Sequence, residues 1–232
     1  MSFGLNRRFV FWMSFFEATA LSVVALTLVH NWYPLNYFNL FEFGYKLSGF
    51  LAILFLLGPV LNTLFYKHDS EAYANDLSMI FIIKLVVLGF GLHIAHSQRP
   101  VLVIFAVERF VVVQAHQVNL DQAPPGILEM MKNSEGPPLV ATKKLPKDDI
   151  GLLLEVMSGG VDIEYRPAQY ERFEYQKEDF YERMCGSNVN GDDEGRCESV
   201  TVPLVYDWDK YATAVFDGKN ASIKDILPQD PW

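Results

Sequence analysis

Cysteine is scarce in this chain, charge is thin in its first part, and signature catalytic motifs are missing. There are only two cysteines among 232 residues. No G-x-S-x-G, Walker A or G-x-G-x-x-G pattern occurs. Nucleophile-elbow hydrolases, P-loop NTPases and dinucleotide-binding enzymes therefore have no starting point here. No internal repeat and no long low-complexity linker interrupts the sequence. Positive charge is also in deficit: 19 Lys and Arg face 28 Asp and Glu, a net charge of −9. Such a chain repels phosphate, and nucleic acid is not an expected partner.

What is present is apolar sequence, and it is unevenly placed. Residues 1–96 carry five basic side chains (Arg7, Arg8, Lys46, Lys67, Lys84) and five acidic ones (Glu17, Glu42, Asp69, Glu71, Asp76). Residues 97–232 carry 14 basic and 23 acidic side chains, and so the whole net charge. The first part is suited to lipid and the second to water. This predicts two regions, 1–96 and 97–232.

Three long apolar segments lie in the first region. Phe9–Val29 has 21 residues with one charge, Glu17; Leu47–Tyr66 has 20 with none; Leu77–Ala95 has 19 with one, Lys84. About 20 apolar residues cross a bilayer as a helix, and a helix pairs its own backbone groups where water is absent. The expected fold is three N-terminal transmembrane α-helices followed by an α+β periplasmic domain. The first segment is longer than the roughly 7–15 apolar residues of a signal peptide and lacks a small-x-small site after it. Trp32-Tyr33-Pro34 instead places aromatics at an interfacial belt.

Basic residues set the expected orientation. Arg7 and Arg8 precede the first span and Lys67 lies between the second and third, against Lys46 alone between the first and second. The N-terminus is therefore expected in the cytoplasm of a bacterium and residues 97–232 beyond its inner membrane. Both cysteines, Cys185 and Cys197, fall in that outer region. The loop between them is polar and holds three glycines. In an oxidising compartment it can close as a disulfide, which contributes roughly 3 kcal/mol in the chain-entropy picture. Zinc is not expected, because no Cys-x-x-Cys or His-x-His accompanies the pair.

In the second region Pro100 ends the third helix. Val101–Ala106 and Phe110–Gln114 read as a β-hairpin around Val107-Glu108-Arg109. Pro124–Lys132, Lys147–Met157 and Pro167–Met184 read as helices. Leu204–Tyr206, Tyr211–Phe216 and Ser222–Leu227 read as strands, with Asp217-Gly218-Lys219-Asn220 as a turn. Gly136-Pro137-Pro138 marks a loop.

Glu17 and Lys84 are the sharpest features. An ionised side chain inside a bilayer costs at least roughly 2.5–3.5 kcal/mol and usually faces a partner. Glu17 is eight residues beyond Phe9 and Lys84 seven beyond Leu77. At about 1.5 Å per residue their depths are about 12 and about 10.5 Å, so the two can meet as an ion pair. Ser14, Ala18, Ser22 and Ala25 give the first span a narrow face for close helix approach. Gly58-Pro59 predicts a kink in the second, with Asn62 or Thr63 serving freed backbone groups.

Other constellations are weaker. His30, His93 and His96 gather near the outer interface without an acidic or cysteine ligand. Asp207-Trp208-Asp209 matches the D-x-D of some glycosyltransferases, but reads better as two solvated carboxylates beside a buried Trp. Asn188, Asn190, Asp192 and Glu194 alternate as in a calcium loop, yet Asp193 stands where glycine is needed and Ser199 where the closing Glu belongs. No nucleophile is set beside a base, and no enzyme activity, cofactor or metal is expected.

The order of short segments resembles a known family. Trp32-Tyr33-Pro34, Leu57-Gly58-Pro59, Asp76-Leu77-Ser78, Arg99-Pro100-Val101, Arg109–Val113 and the closing Leu227–Trp232 resemble type IV pilin accessory proteins of the TfpX/TfpZ type. The likeness is carried by residues 9–114 and lies in order and spacing. One departure is Leu54, four positions before Gly58, where that family often carries an acidic residue. The resemblance implies a non-enzymatic inner-membrane factor in type IV pilus biogenesis. It would assist assembly of a cognate major pilin, or tune pilus extension and retraction, within the lipid bilayer and beside assembly-platform proteins. A pilin-modifying membrane enzyme and a periplasmic ligand sensor are the alternatives. Pilins hold a glutamate in their own apolar helix, so Lys84 either meets that group or pairs with Glu17.

Overall fold

The computed structural model describes residues 7–64, 70–144, 151, 154–155, 158–185, 199–208 and 210–231. The chain divides into two compact units, Met1–His96 and Ser97–Trp232.

The first unit is helical: α1 (Arg7–Trp32), α2 (Leu35–Leu40), α3 (Phe43–Leu64) and α4 (Ser70–Ser97). α1, α3 and α4 are long and apolar enough to cross a membrane. Their surface is itself apolar. Phe9, Trp12, Met13 and Phe16 on α1, Leu56 on α3, and Val86 and Phe90 on α4 are all exposed. An apolar surface of this extent does not suit water. The predicted small face of α1 is where the helix packs, since Ser14, Ala18, Ser22 and Ala25 are all buried. Ala25, Leu54 and Leu88 meet as a core drawn from α1, α3 and α4. Leu54, the departure noted above, is therefore an apolar packing residue. Gly91 makes room for Phe50, whose ring would stand 2.5 Å from a Cβ at that position. Tyr33, following α1, is buried and donates to the Ala95 carbonyl of α4 at 2.9 Å. The short α2 was not foreseen.

The second unit is built on a seven-stranded mixed sheet. In chain order its strands are β1 (Pro100–Ala106), β2 (Arg109–Gln114), β3 (Leu139–Thr142), β4 (Tyr170–Arg172), β5 (Ser199–Tyr206), β6 (Lys210–Asp217) and β7 (Ser222–Leu227). Their order across the sheet is β4-β3-β1-β2-β5-β6-β7. β1 pairs in parallel with β3, and β2 with β5; the remaining neighbours are antiparallel. α5 (Pro125–Asn133) places Ile127 on one face, with Leu102, Ile104, Val111, Val113 and Val140. α6 (Lys177–Cys185) places Phe180 on the other, where it meets Phe105, Phe110, Phe173 and Phe216 with ring centroids 4.6–5.9 Å apart. Every residue of β1 is buried, as expected of a strand covered on both faces.

The hairpin of β1 and β2 forms with a two-residue turn, Val107-Glu108. One expectation fails, and one strand was not foreseen. Pro167–Met184 is not one helix: two 3₁₀ turns flank β4, and only Lys177–Cys185 is α-helical. The cause is the sheet edge. β4 pairs with β3 and buries Tyr170 completely, while its hydroxyl donates to the Glu164 carbonyl at 2.6 Å. A continuous helix would forfeit that ladder. β3, read only as sequence beyond the Gly-Pro-Pro loop, is the unforeseen strand. The Lys147–Met157 helix lies almost wholly outside the described residues.

Candidate functional site

Within the apolar interior of the helical unit, polar side chains of one long helix meet those of another. Lys84 on α4 is 4% exposed, and its ammonium donates to both carboxylate oxygens of Glu17 on α1, at 3.0 and 3.1 Å. On the α1 face beside it, Ser14 accepts from the Asn62 amide of α3, both side chains being buried.

Glycine and alanine make the space. A Cβ on Gly58 would stand 3.2 Å from Lys84 Cε and 3.3 Å from its Nζ, and 4.0 Å from the Ala18 Cβ. The lysine head therefore rests on the backbone of α3 as it reaches α1. α3 continues unbroken through Pro59. Of the two residues expected to serve its backbone, Thr63 donates to the Pro59 carbonyl, whereas Asn62 reaches across to Ser14. Asn62 leaves its own Oδ1 buried without a partner among the described residues.

The pair is asymmetric. The Lys84 side chain is 5% exposed and the Glu17 side chain 27%. The ammonium is enclosed by all three long helices, while the carboxylate keeps an open edge. That edge can accept a further hydrogen bond; the lysine head is not open to a large partner.

The other sequence candidates are dispersed. Cys185 ends α6, but its side chain and Cys197 lie outside the described residues, and so does the expected disulfide. Most of the calcium-like stretch, residues 188–198, is outside them too. Among the described residues no three His, Cys, Asp or Glu side chains converge as metal ligands. His96 instead packs edge-on against Trp32 at 4.9 Å. Trp208 is not buried, as the D-x-D reading supposed. It is 61% exposed and stacks on Tyr165 at 4.7 Å, because Asp207 and Trp208 both adopt positive φ in the β5–β6 turn. Asp207 pairs with Lys210 at 3.2 Å, and Asp209 is outside the described residues.

Sequence reasoning missed the roles of Gly58 and Asn62. Gly58-Pro59 was read as a kink alone; the signal was a glycine on the helix between the two charged spans. Scans against protein-family models, curated proteins and solved structures found no match to this chain.

Proposed function

We propose that this protein is a non-enzymatic inner-membrane accessory factor of type IV pilus biogenesis, acting on a cognate major pilin. In this reading α1, α3 and α4 span the bilayer, the N-terminus is cytoplasmic, and the sheet unit is periplasmic. Three features support it: the ordered segments that resemble pilin accessory proteins, the apolar outer surface of the long helices, and the placement of charge. The Glu17–Lys84 pair carries the mechanistic part.

Lys84 is engaged from within, so it is the residue that locks α1 to α4. The pilin helix is then met by the exposed aromatic face of α1 around Trp12 and Phe16, and by the open edge of Glu17 on the same helix. A protonated carboxyl or a hydroxyl on the incoming helix can donate there, and interhelical hydrogen bonds in lipid are worth about 0.6–2 kcal/mol. The platform thus holds a pilin without consuming its own ion pair.

The test is recovery of pilin with the tagged full-length protein from detergent-solubilised membranes, with an unrelated pilin as control. Selective recovery of the pilin encoded beside this gene is expected, and weaker recovery with Phe16→Ala. Recovery of neither pilin, under conditions where other pilin contacts survive, would remove the reading.

A further inference from the structure

A pocket of about 370 Å³ opens at the end of the sheet where β1 turns into β2. This lies within the range of about 300–1,000 Å³ typical of small-ligand sites. Three cations converge on it: Lys143 and Lys144, which follow β3, and Arg183 on α6. Asp179, on the same helix, is the one carboxylate among the described lining residues. It is held by Lys144 at 3.0 Å and by Arg183 at 3.0 Å. Lys143 donates to the Ala168 carbonyl at 3.1 Å, which leaves its charge without a carboxylate among the described residues. The lining therefore carries an excess of positive charge, in a region that holds 14 basic side chains against 23 acidic ones.

Part of the lining is apolar, and one residue of it is strained. Val107 and Ile163 are its apolar members. Val107 has φ +59° and is 70% exposed. A β-branched residue in the left-handed region is a true outlier. Burial does not compensate it here, and a turn of this kind ordinarily takes glycine, asparagine or aspartate. Backbone strain of this sort concentrates where a side chain must be presented to a ligand. The lining thus combines apolar and cationic side chains.

We propose that this pocket binds a small organic anion, with its carboxylate or phosphate group on Lys143 and Arg183 and its apolar part against Val107 and Ile163. Arg183 is 42% exposed and Lys144 61% at their side chains, so both can turn from Asp179 to an incoming oxyanion without being dug out of a core. A guanidinium and an ammonium together give an oxyanion charge-assisted hydrogen bonds from two sides. The binding should be salt-sensitive, because the cations are open to water. The site is independent of the proposed pilin contact, and neither stands or falls with the other.

The experiment is calorimetric titration of the full-length protein in neutral detergent with citrate and, separately, with inorganic phosphate, at low and high salt. Saturable binding of at least one probe is expected, and which one binds assigns the carboxylate or phosphate chemistry. Lys143→Gln/Arg183→Gln should weaken it about tenfold, the scale of losing charge-assisted contacts. Lys224→Gln, at an exposed position on β7, should leave it unchanged. Thermal unfolding checks that each variant is folded; if the double variant is not, Lys143→Gln alone carries the test with a smaller loss. No binding of either probe up to about 10 mM, the range of contacts too weak to be specific, would overturn the proposal. So would equal weakening by Lys224→Gln, or unchanged binding in the double variant.

Discussion

In the helical unit, one buried ammonium, Lys84, is answered by the carboxylate of Glu17. In the sheet unit, Asp179 sits between two cations that are both open to water. The difference is whether water can take the place of a lost partner. Around Lys84 it cannot, since Gly58, Ala18 and apolar side chains close the space. Around Asp179 it can. The same contrast runs through the packing. The helices approach through serine, alanine and glycine, and their bulk faces outward, whereas the sheet gathers its phenylalanines inward.

The contrast can be broken first on the packing side. Phe180→Ala removes the ring that contacts Phe105, Phe110, Phe173 and Phe216, and should cost about 3–5 kcal/mol. Hydrogen exchange resolved by peptide should show the loss in β1, β2 and β6 and not in α1 or α4. Next is Lys84→Met, which leaves Glu17 without its partner and should cost about 3 kcal/mol in the helical unit. Adding Glu17→Leu should recover most of that, because an apolar pair of similar volume has no charge to shield. Denaturation in mixed micelles, run as a double-mutant cycle, reads the coupling. A smaller effect is expected of Gly58→Ala. Its Cβ enters the space of the lysine head, which must shift by a few tenths of an ångström, at about 1 kcal/mol on the same assay.

The smallest effect concerns acid. The Lys144 hydrogen bond, with the nearby Arg183 charge, holds the Asp179 carboxyl below the usual carboxylate range. Hydrogen bonds from Asn220 do the same for Asp217 in the β6–β7 turn. A lowered folded-state pKa gives stability that is present above the ordinary value, about pH 4. It is lost as pH falls through the lower, folded one. Acid unfolding of the sheet unit should therefore begin below about pH 4, the ordinary carboxylate range. Asp179→Asn should flatten that dependence while changing stability at neutral pH less than Gly58→Ala does.

Much of the helical unit was legible because its signals are long. Each long helix carries a run of about 20 apolar residues, and the small-residue face of α1 repeats at helical spacing. Equal depth placed Glu17 within reach of Lys84. Gly58 was harder, since a glycine before a proline signals a kink locally, while its contact with Lys84 comes from a third helix. The hairpin and the last strand were read from β-branched runs and turn residues. Tyr170–Arg172 was not, because Glu, Arg and Tyr suit a helix locally and only pairing with β3 makes them a strand. Trp208 was placed inside on composition alone, and the left-handed turn that turns it outward leaves no mark in residue type. The basic pocket was invisible for a related reason. Lys143 and Arg183 are 40 positions apart in the chain and line one pocket only through the packing of α6.

The most direct test is a charge swap, with surface piliation and protein level measured together. If the proposed pilus role holds and Glu17 and Lys84 serve each other, Glu17→Lys and Lys84→Glu should each lose piliation, and the double swap should restore it. If the double swap folds and accumulates normally yet remains as defective as the single variants, Lys84 answers a charge on another molecule, and the account of an internal lock is wrong.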